Sequence, residues 1–203
     1  SFFERLRPLL DEYGAFTVGE IGGAEPLKTM AEYTAGSRRL HTAYSFALLG
    51  DRPTPQAVAR HMADWQQGTA ASAWPSWAFS NHDVPRVASR WGGGGEGGFA
   101  FAGSTQGQTE TGGSAALWMA LLMALRGTVF VYQGEELGLT QAEVPFEFIQ
   151  DPFGLANWPT HKGRDGCRTP MPWEADAPNA GFSTAAPWLP LPPEHLALAV
   201  DLQ

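Results

Sequence analysis

Four short β-prone runs alternate along this chain with helical stripes, and that alternation restricts the fold more than any other feature. Phe3, Leu6, Leu9, Leu10 and Tyr13 recur at helical spacing until Gly14. Phe16 to Ile21 follows as a strand that carries Glu20 near its end. Residues 26–35 can form one helix, and Leu40 to Leu49 reads as a buried strand ending at Gly50-Asp51. Thr54 caps a helix with Pro55 at its first position and Val58, Met62 and Trp65 on one face. Ser76 to Ser80 is the third strand and runs into Asn81-His82-Asp83. The apolar stretch from Ala115 to Leu125 predicts a helix, and Thr128 to Tyr132 predicts the last strand, running into Gln133-Gly134-Glu135-Glu136. Helix and strand in turn imply βαβ units and a parallel sheet, an α/β fold.

Beyond Thr140 the pattern fades. Residues 140–193 are rich in Pro and show little periodicity, which marks a long functional loop or elements hidden from a periodicity reading. With 24 Gly and 16 Pro among 203 residues, the chain carries much loop while staying globular in composition. Its formal charge of −8 argues against nucleic acid or an anionic membrane as the main partner. The longest apolar run is too short to span a bilayer. Cys167, the single cysteine, precludes an internal disulfide and points to a reducing compartment, so a cytoplasmic location is the expectation. Ser1 is not an initiator Met, and a helical pattern beginning at Glu194 breaks off at Gln203, so the chain reads as an internal piece of a longer protein.

Three strand candidates end in acidic groups: Gly19-Glu20, Asn81-His82-Asp83 and Gly134-Glu135-Glu136. In parallel α/β folds the carboxyl ends of strands form the active face, so these groups are candidates for acid/base hydrolysis of a glycosidic bond. Asp and Glu after a strand are also ordinary solvated turn residues, and at this point both readings stay open. Gly92, Gly94 and Gly97 satisfy the dinucleotide spacing, but the run follows no strand directly and lacks the later acidic residue, so it reads as a surface loop. The five His are scattered without metal-ligand spacing, and no serine-hydrolase elbow is present. Neither a metal nor another cofactor is expected. Cys167 has no nearby His and reads as a packed thiol. The stretch from His161 to Trp173 concentrates polar and aromatic groups, with Arg164 and Arg168 as fork-like donors for carboxylates or sugar hydroxyls. A loop-stapling role for Arg168 is equally open.

Together these motifs resemble a known family. Phe16-Thr17-Val18-Gly19-Glu20, Phe79-Ser80-Asn81-His82-Asp83 and Tyr132-Gln133-Gly134-Glu135-Glu136-Leu137-Gly138 resemble successive motifs of the α-amylase family, glycoside hydrolase family 13. Gln150-Asp151-Pro152, the run from Arg164 to Met171, and Leu40 to Phe46 are similar to its bacterial α-glucosidase branch. The resemblance implies a (β/α)8 barrel of which this chain supplies strands five to eight, with residues 140–193 as a rim loop and no complete domain boundary inside residues 1–203. It further implies a retaining mechanism through a covalent glycosyl-enzyme. By the same resemblance Glu20 is the general acid/base, Asp83 the carboxylate that binds hydroxyls and stabilises the transition state, His82 a hydroxyl-binding His and Arg164 the Arg at the non-reducing glucose. Phe46 is an aromatic wall near the cleavage point. A general acid must be protonated at the working pH, so Glu20 is expected to be partly desolvated or near another carboxylate.

The nucleophile, an Asp within a Gly-x-Arg-x-Asp motif on the fourth strand, has no counterpart here and is expected ahead of Ser1. Gly22-Gly23 replaces the acidic residues often found after the acid/base. The expected partners are a small α-glucoside or oligosaccharide and the missing N-terminal half of the same polypeptide, with the piece alone inactive. A sucrose isomerase, trehalose synthase or other transglucosylase shares the same residues. A non-catalytic binding barrel is disfavoured, because Glu20 and the His82-Asp83 pair are both present.

Overall fold

The computed structural model describes residues 1–50, 54–68, 73–92 and 111–203. The chain divides into two compact units, Ser1–Phe79 with Leu121–Phe130, and Ser80–Ala120 with Val131–Gln203. The Gly-rich run after Gly92 lies outside the described residues, and so does the end of the second strand candidate at Asp51.

Helix α1 (Phe2–Glu12) leads through Gly14 to strand β1 (Val18–Ile21). Helix α2 (Pro26–Thr34) then carries the chain to β2 (Thr42–Ser45), which pairs in parallel with β1, Val18 opposite Thr42 and Ile21 opposite Ser45. Two parallel strands cannot be joined by a tight turn, so the crossover helix is a geometric requirement. Helix α3 (Pro55–Gly68) starts as the sequence predicts, with the Thr54 hydroxyl accepting the Ala57 N–H at 3.1 Å. Strand β3 (Ser76–Ala78) pairs in parallel with β4 (Thr128–Phe130), which follows α4 (Val87–Gly92) and α5 (Thr111–Ala124) in chain order. The hydroxyls of Thr42 and Ser76 meet at 2.7 Å and tie β2 to β3. The first unit is thus α/β, its four strands arranged as two parallel pairs.

Every residue of β2 and β3 is buried, as expected of parallel strands covered on both faces. Strand β1 instead alternates exposed and half-buried positions. Gly19 admits a close approach there: a Cβ at this position would lie 2.7 Å from Leu40 Cδ1 and 3.3 Å from the Ala43 side chain. A larger residue at 19 would have to move the end of the Leu40 side chain and press on Ala43.

The second unit has short elements in place of long ones. A 3-10 turn at Phe146–Phe148 precedes helix α6 (Pro152–Asn157), and further 3-10 turns at Asp165–Cys167 and Pro178–Gly181 lie between it and helix α7 (Pro193–Leu196). Two small apolar clusters hold this region, one of Leu137, Leu139 and Met171 with Leu198, the other of Val144, Ile149 and Leu189.

Three expectations need correction. The region 140–193 is not bare loop, since α6 and the 3-10 turns lie within it. The buried strand at 40–49 shrinks to Thr42–Ser45 and turns at Phe46–Leu48 into a 3-10 helix. The helical pattern from Glu194 stops after α7, because the N–H groups of Val200 and Asp201 donate to the carbonyls of Pro172 and Trp173, and a 3-10 turn at Val200–Leu202 follows.

Trp77 anchors the first unit. It is 1% exposed, its indole N–H donates to the Arg126 carbonyl at 2.9 Å, and its ring meets Trp65 edge-on at 6.4 Å. Trp77→Ala should cost about 3–5 kcal/mol in urea unfolding; a loss below about 1 kcal/mol would show that the site collapses around the cavity.

Candidate active site

In the first unit, parallel pairing puts Glu20 opposite Tyr44, one residue before the carboxyl ends of both strands. The Tyr44 hydroxyl donates to the Glu20 carboxylate. That contact fixes the carboxylate's direction without removing it from water. Glu20 is exposed, so the desolvation expected of it is not met within this unit; among the described residues β1 is paired with β2 alone. Phe46 follows β2, is 39% exposed, and lies 6.3 Å from the Tyr44 ring. A Cβ at Gly22 would stand 3.3 Å from the Phe46 ring, so the glycine that replaces an acidic residue leaves room for the aromatic face.

In the second unit, the turn after β3 is built by Asn81. Its buried side-chain carbonyl accepts the N–H groups of Asp83 at 2.9 Å and Val84 at 3.2 Å, which orients Asp83. Two guanidinium groups converge on Oδ1 of Asp83, Arg164 Nη1 at 2.9 Å and Arg168 Nη2 at 3.1 Å, and His82 Nε2 stands 3.6 Å away. Arg168 also donates Nε to the His82 carbonyl at 2.8 Å. Arg168 thus staples its loop to the His82–Asp83 turn.

Arg164 is held from behind by Asp151. Nε and Nη2 of the guanidinium reach the two carboxylate oxygens at 2.9 Å each, and the Arg164 backbone N–H adds a third contact at 2.8 Å. The bound guanidinium, in spite of burial, holds the Asp151 carboxyl well below the usual carboxylate range. The same pairing raises Arg164. A cavity of about 470 Å³ opens at Asp83 and Arg164 and is lined further by Phe153, His161, Lys162 and Gly163. Its size suits a small ligand, and Asp83, Lys162 and Arg164 give it charged acceptors and donors.

Two buried acidic groups differ in role. Burial pushes the Cys167 thiol up, and its Sγ donates to the Arg164 carbonyl at 3.1 Å, which makes it the packed thiol expected. Glu135 lies buried in the turn after β4, accepts the Tyr132 N–H at 3.1 Å, and is pushed up by burial to about 7. Of the three strand-end motifs, Gly134-Glu135-Glu136 is therefore in part structural.

The model of the alpha amylase catalytic domain matches residues 1–202. The chain belongs to that family. It is 46% identical over 206 residues to a probable alpha-glucosidase of Rhizobium meliloti (strain 1021), covering 100% of this chain and 35% of that protein. An oligo-1,6-glucosidase of Parageobacillus thermoglucosidasius is 31% identical over 227 residues, at 97% and 38% coverage. Among solved structures, the alpha-glucosyl transfer enzyme XgtA superposes with a TM-score of 0.82 at 48% identity, covering 99% of this chain and 35% of that one. The chain thus spans little more than a third of the length of the relatives it matches. Among the described residues, no helix is long and apolar enough to cross a membrane.

Of the predicted site residues, the second unit sets Arg164 and His82 each against Asp83, and the first places Phe46 and Glu20 around Tyr44. Sequence reasoning did not assign roles to Tyr44, Asn81 or Asp151. Each sits inside a recognised motif, but Tyr44 and Asp151 carry no spacing that reveals partners 24 and 13 residues away, and the local turn made by Asn81 has no periodic signal.

Glu135 yields a pH prediction. Below 4.5 it is protonated in both folded and unfolded chains. As pH rises toward about 7 the unfolded chain releases a proton that the folded one retains, so stability falls over that window. Glu135→Gln removes the loss. Its stability relative to the parent should rise between pH 4 and pH 8 by up to about 3 kcal/mol, measured by thermal unfolding at both values; a pH-independent difference would contradict the burial of an ionisable group.

Proposed function

We propose that this chain is the second half of the catalytic barrel of an α-glucosidase, supplying strands five to eight, and that the whole polypeptide hydrolyses terminal α-linked glucose. The observation that carries the reading is Asp83, an acidic side chain lining a cavity, gripped on one oxygen by two arginines with His82 beside it. The 46% identity to a probable alpha-glucosidase over the whole chain supports the substrate class.

In this reading Glu20 protonates the leaving glycosidic oxygen while a nucleophilic carboxylate from the preceding part of the polypeptide attacks the anomeric carbon. Glu20, now ionised, then takes a proton from water as the covalent intermediate is hydrolysed. Tyr44 orients the Glu20 carboxylate. Asp83 accepts sugar hydroxyls whose hydrogen bonds strengthen as positive charge builds on the ring, and Arg164 with His82 keeps it in place. Phe46 offers its exposed ring as a wall for the sugar. Without the nucleophile the 203 residues have no covalent step.

Transfer of glucose to another sugar is the second reading, favoured by the 48% identity to an alpha-glucosyl transfer enzyme. Hydrolysis and transfer share the glycosyl-enzyme and part only in what attacks it.

In the full-length polypeptide, Glu20→Gln should lower turnover of maltose by about 10²–10⁴-fold, and lower that of a nitrophenyl α-glucoside, whose leaving group needs little protonation, much less. Equal losses on both substrates, or none, would remove Glu20 from the acid/base role. Product analysis with maltose and sucrose decides between the two fates: free glucose supports hydrolysis, and new oligosaccharides or sucrose isomers support transfer.

A further inference from the structure

Asp151 takes no part in the reaction outlined above, because its side chain has no exposure to solvent. Its contacts nevertheless point in one direction. Oδ1 accepts Arg164 Nη2 at 2.9 Å and the Phe153 N–H at 3.2 Å; Oδ2 accepts the Arg164 N–H at 2.8 Å and Arg164 Nε at 2.9 Å. Asp151 is itself held, since its own N–H and that of Gln150 both donate to Asp165 Oδ2, at 2.8 and 2.6 Å. Gly163 completes the cradle. With φ at +77° it takes a backbone conformation that L side chains rarely adopt, and a Cβ there would lie 2.9 Å from Gly154 Cα and 3.0 Å from Asp151 Oδ2.

A guanidinium bound through Nε and Nη2 has its plane fixed, and its remaining edge can point only one way. Here that edge is Nη1, and it meets Asp83 at 2.9 Å. We infer that Asp151 is a positioning residue: it locks the Arg164 fork so that Nη1 holds Asp83 in register for the sugar hydroxyls. This rests on the glucosidase reading above. Arg164 is 41% exposed, and without Asp151 its long side chain is free to leave the cavity wall. Asp83 would then keep Arg168 and His82 and lose its shortest partner.

Asp151 also caps α6 through the Phe153 N–H, so the test must separate positioning from capping. Asn is as good a cap as Asp but turns a donor toward Arg164 in place of an acceptor. In the full-length enzyme, Asp151→Asn should therefore lose about 10²-fold in kcat/KM on a nitrophenyl α-glucoside, measured well below its own unfolding transition so that lost stability is not read as lost positioning. In an Arg164→Ala background the same change should alter kcat/KM by less than about twofold, since the group it acts through is gone. Guanidinium ion at non-denaturing concentration should partly restore Arg164→Ala, but not the double variant, whose socket is lost. Asp151→Ser, which also caps, serves if the Asn variant does not fold.

A capping role alone predicts near-normal kcat/KM for Asp151→Asn. That result, additive losses, or equal rescue of both variants would overturn the proposal. If the unaltered enzyme neither hydrolyses nor transfers from the α-glucoside, the functional reading falls instead. The socket is then decided by whether guanidinium raises the unfolding temperature of Arg164→Ala and leaves the double variant unchanged.

Discussion

A carboxylate cut off from water has to be neutralised where it stands, and in this chain that requirement organises the second unit. Asp151 is fully buried, and the group that satisfies it is the fork of Arg164. Unpaired, the charge would cost several kcal/mol; paired, it makes the loop's arrangement specific, because only one orientation of the guanidinium closes both contacts. Around that pair the remaining choices become intelligible. Asp165 binds the backbone before and at Asp151, Gly163 lets the chain pass against Gly154, and Cys167 fills the space behind the Arg164 carbonyl. A stretch with almost no regular structure can thus be as well determined as a helix.

The first unit uses a different device. Its strands are short, yet β2 and β3 are wholly buried, and parallel pairing sets residues from separate parts of the sequence side by side. Glu20 and Tyr44 are register partners by that geometry. The hydroxyl that steers the carboxylate is delivered by the ladder itself, and Gly19 beside it leaves room for the Leu40 and Ala43 side chains.

How much of this could be read from residues alone follows from the range of the forces. Period and capping act over a few residues, so α1, α3 and the four strands were legible, down to Thr54 as the cap of α3. Asp83, His82 and Arg164 were legible as a set because they lie in motifs whose order matched a family. Tyr44, Asn81 and Asp151 were not, because their roles depend on register, on a local side-chain turn and on a buried ion pair across 13 positions. Elements α6 and the 3-10 turns were missed for a related reason: they are too short to show a period. The helix read into the last residues failed because carbonyls at Pro172 and Trp173 captured the N–H groups that would have continued it.

The donors around Asp83 are unevenly shared between its two oxygens. Two guanidinium groups fall on Oδ1, while His82 stands beside it at 3.6 Å. A carboxylate gripped along one side resists rotation about its own axis more than one paired through a single contact, so the cationic groups act on Asp83 as a mount that sets its direction.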